Sequence, residues 1–232
     1  MLEVIDLSAG YEGGDVVNQI DFHVDEGEAV MIIGSNGAGK TTLFRSLIGL
    51  HRLSSGKVLF EGEDIASMPA QRIVRLGISF VPAERHLFPR MSVQENLVLG
   101  AYPKRPDTET IELVMALFPR LAERRRQHAG TMSGGEQQML AVGRALMAKP
   151  RLIVLDEPTT GLAPKLAAEA YEALGVLRQS GLTILVAEQQ VPLAMQLSDR
   201  GYVIENGAIR MEGTSAELAQ NPEVRHAYLG VV

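Results

Sequence analysis

The chain has 232 residues, 46% of them hydrophobic, and a formal charge of −6 from 22 basic against 28 acidic side chains. That length and apolar content suit one cored domain with an elaboration and exclude a disordered polymer, while the acidic balance excludes a global field drawing it to nucleic acid or anionic lipid. With no cysteine, disulfides, zinc-thiolate sites and iron–sulfur clusters are excluded too, which fits a reducing cytosol.

The N-terminal run from Met1 to Asp6 lacks a basic segment followed by an apolar one, so no secretory leader is expected. Nowhere do about 18 apolar residues follow one another, so no transmembrane helix is expected and any membrane role needs a partner. Strand-like runs open the chain at Leu2 to Leu7 and Val16 to Val24, where Ile20, Phe22 and Val24 alternate with polar residues. A turn over 25–28 leads into Ala29 to Ile33, a continuous apolar strand of the kind buried on both faces of a sheet.

Gly34-Ser35-Asn36-Gly37-Ala38-Gly39-Lys40-Thr41 then fits G-x-x-x-x-G-K-S/T, with Thr42 directly behind it. Glycines let successive backbone N–H groups turn inward around an anion. A helix opening near Lys40 adds its positive end. Lys40 is expected on the β- and γ-phosphates of a nucleotide and the Thr41 hydroxyl on magnesium. By chance the pattern arises in about one chain in a hundred of this length. Here it also sits between an apolar strand and a helix, so a nucleotide with Mg2+ is the expected ligand.

Further strands are expected over Lys57 to Phe60 and Ile78 to Val81, with a helix carrying Ile73, Val74 and Leu76 between them. From 89 to 149 helix signals dominate. Ser92 and Glu95 form a capping box, Ile111 to Phe118 is amphipathic, and a long helix is expected over Ser133 to Ala148. Arg120, Arg124, Arg125 and Arg126 form a basic run best explained as a solvated face. Strand–helix alternation resumes over 150–232, and Thr214 with Glu217 caps a last short helix. The expectation is an α/β core formed by 1–88 and 150–232 with a helical subdomain, 89–149, inserted into it.

Leu152 to Leu155 is an apolar strand ending in Asp156-Glu157. Ligands of parallel sheets lie beyond the carboxyl ends of strands, so this pair belongs beside the phosphate loop. Asp156 is expected to hold the magnesium shell and Glu157 to deprotonate the attacking water. Upstream, Ser133-Gly134-Gly135-Glu136 is a capping box whose two glycines exceed what capping requires, leaving exposed N–H groups as a second anion site.

With phosphate loop, helical insert, Ser-Gly-Gly and acidic pair in this order, the whole chain resembles the ABC ATPase family. The resemblance implies a P-loop NTPase (RecA-like) core with an N-terminal antiparallel β-subdomain and the inserted α-helical subdomain. It implies that two cassettes pair head to tail with each ATP held between them, Ser133, Gly134, Gly135 and Glu136 serving the partner's nucleotide, and that Tyr11 stacks on adenine. It also implies two transmembrane permease subunits, an external solute-binding protein, and a cytoplasmic place on the inner face of the membrane. Val81-Pro82, Leu87-Phe88-Pro89, Gly134 to Ala141, Gly161 to Pro164 and Val186 to Gln190 resemble the F-type ATP-binding subunit of branched-chain amino acid importers. Relatives of that type serve urea or short amides. The second cassette is expected to be a different chain, with homodimers possible for the isolated subunit.

Three positions depart from the general family pattern. A glutamine on magnesium falls at Ala83, with Glu84 beside it; a histidine on the γ-phosphate falls at Gln189; an aspartate at the dimer interface falls at Ala163. Gln189 can donate a hydrogen bond but carries no charge. Two other functions compete: a nucleotide-binding switch with little hydrolysis, which the retention of Lys40, Asp156 and Glu157 opposes, and a soluble ABC protein acting on DNA or ribosomes, a class that tends to carry coiled-coil inserts, zinc cysteines or two cassettes in one chain, none of which is present in this sequence.

Overall fold

A computed structural model describes residues 1–189 and 191–229; Gln190 of the run quoted above lies outside the described residues. The chain begins with β1 (Leu2–Tyr11) and β2 (Gly14–Val24), then β3 (Ala29–Ile33), α1 (Lys40–Leu47), β4 (Leu53–Phe60), β5 (Glu63–Asp64), α2 (Ala70–Leu76) and β6 (Ile78–Val81). Four helices follow: α3 (Val93–Gly100), α4 (Thr108–Leu117), α5 (Pro119–Glu123) and α6 (Gly134–Leu146). The chain then returns through β7 (Leu152–Asp156), α7 (Pro164–Gln179), β8 (Thr183–Glu188), α8 (Val191–Leu197), β9 (Arg200–Glu205) and β10 (Ala208–Thr214). Two short helices, α9 (Ser215–Gln220) and α10 (Pro222–Val224), and a π-helical turn over Arg225–Leu229 follow.

These strands form two sheets. One is antiparallel, in the order β2-β1-β4-β5. The other runs β10-β9-β3-β8-β7-β6, parallel except for β10. The parallel strands are the continuous apolar runs of the sequence because each is covered on both faces. In β3, Ala29, Met31 and Ile33 enter one core cluster while Val30 and Ile32 enter the other. Ile153 and Leu155 of β7 part from Leu152 and Val154 in the same way. The first cluster continues into Val93 and Leu97 of α3, Val114 of α4 and Leu140 of α6; the second binds α1 and the antiparallel sheet. Alternation of period 2 thus lets one sheet serve as the wall of two cores.

Local chemistry sets the helix starts. Ser92, Ser133 and Thr214 each close a full capping box with Glu95, Glu136 and Glu217. The long helix expected over 133–148 therefore begins one residue later, with Ser133 outside it as the cap. Several strands are longer than expected, and β1 runs on past Leu7 to Tyr11. β2 reaches back to Gly14, and β4 to Leu53 through Ser54, Ser55 and Gly56. β4 pairs Ser55 with Ser8 and Leu53 with Ala9, so backbone bonds extend it where no apolar alternation announces a strand. Two arginines of the basic run have carboxylate partners in place, Arg124 with Glu123 and Glu136 and Arg125 with Glu112, and Arg125 also donates to the Gln94 side-chain oxygen.

Candidate functional site

The loop after β3 curls over the start of α1. Gly37 and Gly39 have φ of 81° and 108°, a region L side chains rarely adopt. Gly39 is the N-cap of α1, which has no side-chain cap and no acidic residue in its first turn. The first-turn N–H groups and the positive end of the helix dipole therefore face the loop unspent. A Cβ at Gly39 would lie 2.5 Å from Val17 Cγ1, and one at Gly34 2.5 Å from the Ile204 carbonyl oxygen. Neighbouring strands β2 and β9 thus hold the loop at both ends.

Val16, Asn36, Gly37, Gly39, Lys40, Thr41, Thr42 and Glu157 line a cleft of about 330 Å³ here. Ser35 is exposed at the loop's crest, and Ala38 is buried with its N–H on Ser35 O at 3.1 Å. Lys40, only 4% exposed, donates to Gly34 O at 2.7 Å and Ser35 O at 3.2 Å, and its Nζ is 3.4 Å from Glu157 Oε1.

Asp156 ends β7, in register with Ala187 of β8, and is fully buried. Neither of its carboxylate oxygens has a hydrogen-bond partner. Burial pushes the Asp156 carboxyl up to about 6, Glu157 and Glu84 adding to the push while Thr41 and Lys40 oppose it. Two orphaned, buried acidic oxygens next to the Thr41 hydroxyl suit a hard divalent cation, whose charge would hold the carboxylate ionised. Among the described residues no group of three or more His, Asp or Glu is placed to hold a metal. The residues that could serve such a cation from the protein side are Thr41 and Asp156, with phosphate oxygens left to complete its shell.

Glu157 sits at φ 47°, its N–H on Ala187 O at 2.9 Å and its Oε2 accepting from Thr160 Oγ1 at 3.0 Å. Gln189 is exposed immediately past β8, its N–H on Glu188 Oε2 at 3.1 Å. Structure therefore brings Lys40, Thr41, Asp156 and Glu157 together, with Gln189 one residue beyond the adjoining strand.

Other expected residues stand apart from the cleft lining. Tyr11 ends β1 with a 57% exposed ring tilted against His51 at 4.6 Å between centroids. Ser133, Gly134, Gly135 and Glu136 form the cap of α6, where Glu136 Oε2 accepts from Ser133 N and Oγ at 2.9 Å. Here the glycines have a local reason as well: a Cβ at Gly135 would lie 2.4 Å from Leu166 Cδ1, and one at Gly134 3.3 Å from the Arg85 guanidinium. Arg85 in turn reaches Gln138 at 3.1 Å, tying the loop after β6 to α6. Glu84, beside Ala83, is held by Arg45 at 2.9 Å. Ala163 is the N-cap of α7 and supplies no side-chain cap.

The sequence patterns assign no site role to Val16, Arg45, Thr159, Thr160 or Glu188, although Val16 and Glu188 lie inside runs they mark. These residues reach the cleft or its walls from four separate segments, Thr159 and Thr160 sharing the turn after Glu157, where nearness to the acidic pair is the one local signal.

A family model described as ABC transporter matches residues 17–160. BraG of Pseudomonas aeruginosa, a high-affinity branched-chain amino acid transport ATP-binding protein, is 46% identical over 99% of this chain and 100% of its own length. LivF of Archaeoglobus fulgidus, described as a probable branched-chain amino acid transport ATP-binding protein, is 35% identical over 100% of both. Among solved structures, the ADP conformation of an ATP-binding cassette of an ABC transporter superposes with a TM-score of 0.84 at 28% identity, over 100% of this chain and 99% of that one.

Proposed function

This chain belongs to the ABC transporter family, and on that premise we propose that it is the ATP-hydrolysing subunit of an importer for branched-chain amino acids. The observation carrying this reading is the convergence of Lys40, Asp156 and Glu157 at the carboxyl ends of β3 and β7, beneath an uncapped helix N-terminus. BraG and LivF, named for branched-chain amino acid transport, align over essentially the whole chain and support the cargo.

In this proposal the N–H groups of the loop and of the first turn of α1 surround the phosphates, and Lys40 carries their charge. Thr41 and Asp156 would hold Mg2+, which when bound supplies positive charge against the phosphate oxygens. Glu157 takes the proton of the attacking water, its carboxylate turned by the Thr160 hydroxyl. Gln189 donates an amide hydrogen bond toward the γ-phosphate, and Tyr11 offers its exposed ring to the adenine. Ser133, Gly134 and Gly135, capped by Glu136, serve the nucleotide of a second cassette paired head to tail.

The cargo is chosen by two membrane-spanning permease subunits and an external solute-binding protein. Among the described residues no helix is long and apolar enough to cross a membrane. As the ATP-hydrolysing partner of those permease subunits, the chain works from the inner face as a peripheral subunit. The test is to capture the chain from its native membrane with its bound subunits, reconstitute them in vesicles, and follow phosphate release. Leucine with its binding protein should raise the rate several-fold. Stimulation by urea or a short amide instead would overturn the cargo, and absence of magnesium-dependent hydrolysis would overturn the motor.

A further inference from the structure

Glu188 closes β8 with a carboxylate that is fully buried. Charges are not taken out of water without strong partners, and these partners lie on two different loops. Oε1 accepts from the Thr159 amide at 3.1 Å and from the Thr159 hydroxyl at 2.7 Å. Oε2 accepts from the Gln189 amide at 3.1 Å. From α7 the buried Tyr171 phenol faces the same group, held protonated by its burial and by the Glu188 charge.

Thr159 is itself fully buried and lies two residues beyond Glu157. The turn over 157–160 is thereby fastened to β8 at two points, Glu157 N to Ala187 O at 2.9 Å and Thr159 to Glu188. On that turn Glu157 adopts φ 47°, a conformation that costs a non-glycine residue energy and persists where its surroundings over-determine it.

We propose that Glu188 is a positioning residue: one buried carboxylate that clamps the turn carrying Glu157 and the loop carrying Gln189 to each other. The two groups addressing the γ-phosphate region are then set by one anchor. Charge-assisted hydrogen bonds give such a clamp more rigidity than neutral ones. A displacement of about 1 Å at a reacting group costs on the order of 100-fold in rate, so a clamp that merely loosens should be read in turnover before binding. The inference rests on Glu157 being the water-activating base.

The experiment measures kcat, KM and MgATP affinity for the full chain and for Glu157→Gln, Glu188→Gln, Thr159→Val and Thr159→Ser, with thermal melting of each. Glu188→Gln keeps the size but turns a donor toward the Gln189 N–H. Thr159→Val keeps the shape but removes the hydroxyl, and Thr159→Ser retains it. Expected are a fall in kcat of about ten-fold in Glu188→Gln and Thr159→Val, KM and MgATP affinity within two-fold of the parent, and recovery of at least half the rate in Thr159→Ser. A double variant no slower than the slower single one would place both residues in one unit.

Unchanged kcat in folded Thr159→Val overturns the clamp. So does loss of kcat, affinity and melting temperature in proportion, which is the mark of a merely structural role. If Glu188→Gln does not fold, the Thr159 pair decides alone. Undiminished hydrolysis by Glu157→Gln would instead remove the base on which the inference stands, an outcome distinct from either.

Discussion

Lys40 Nζ stands 3.4 Å from Glu157 Oε1, joining the first residue of α1 to the residue just past β7. The ammonium is shared between that carboxylate and the Gly34 and Ser35 carbonyls. A triphosphate entering the cleft offers the ammonium a denser negative charge than any of the three. On the proposed reading, Glu157 would then be released from Lys40 to become a neighbour of the γ-phosphate, where a proton acceptor is useful.

Lys40→Ala should weaken MgATP binding by about 10- to 100-fold, the worth of one or two charge-assisted hydrogen bonds. Calorimetry on the purified chain checks this. An affinity within two-fold of the parent would remove Lys40 from the phosphate site.

Glu157→Gln should lower kcat by at least about 100-fold, because the amide cannot take a proton from water. MgATP affinity should hold or tighten, since the uncharged side chain no longer repels the phosphates. Phosphate release combined with nucleotide-retention measurements reads both effects. Retained hydrolysis would pass the role of base to another group.

Asp156 carries a pH signature. Its carboxyl is raised from 3.8 to about 6, so between those values the folded chain holds a proton the unfolded chain has released. Stability therefore falls as pH rises from about 4 to about 6, and the cost persists above that window. About two pKa units correspond to roughly 3 kcal/mol at most. Asp156→Asn, which cannot ionise, should melt at about the parent's temperature at pH 4 and on the order of 5 °C higher at pH 7. Magnesium affinity of the parent should fall as pH drops below about 6, where the proton competes with the cation, and adding magnesium to nucleotide should raise the melting temperature of the parent more than that of Asp156→Asn. A pH-independent difference in melting would contradict the buried charge.

Gly39→Ala combines a φ of 108° with a Cβ 2.5 Å from Val17 Cγ1. It should cost about 2 to 3 kcal/mol and several degrees of melting temperature. Adding Val17→Ala relieves the contact but not the φ, so the double variant should recover only part of the loss. Full recovery would assign the whole effect to the side-chain clash.

Legibility in the sequence followed the range of the interaction. β3, β7 and β8 could be recognised from their apolar runs, and α3, α6 and α9 from capping boxes that span only four residues. The start of β4 could not, because Ser54, Ser55 and Gly56 join a strand through backbone bonds to β1 that any residue type can make. The two-residue strand β5 offered no periodicity to detect. Within the site, Lys40, Thr41, Asp156 and Glu157 each belong to a continuous pattern. Thr159 has no pattern of its own, and Val16 and Glu188, though inside recognised runs, matter through what they meet.

The linear chain by itself determined the loop that can wrap an anion, the strand that presents two carboxylates and the helix starts, since each depends on φ preferences, capping and alternation among near neighbours. Tertiary structure alone decided that Lys40 meets Glu157, that Asp156 loses its water, and that Glu188 joins two loops. Those contacts exist because β3, β8 and β7 lie side by side in the parallel sheet. Their carboxyl ends, remote in sequence, thereby open onto the same few ångströms, where burial removes the solvent that would otherwise screen one charge from the next.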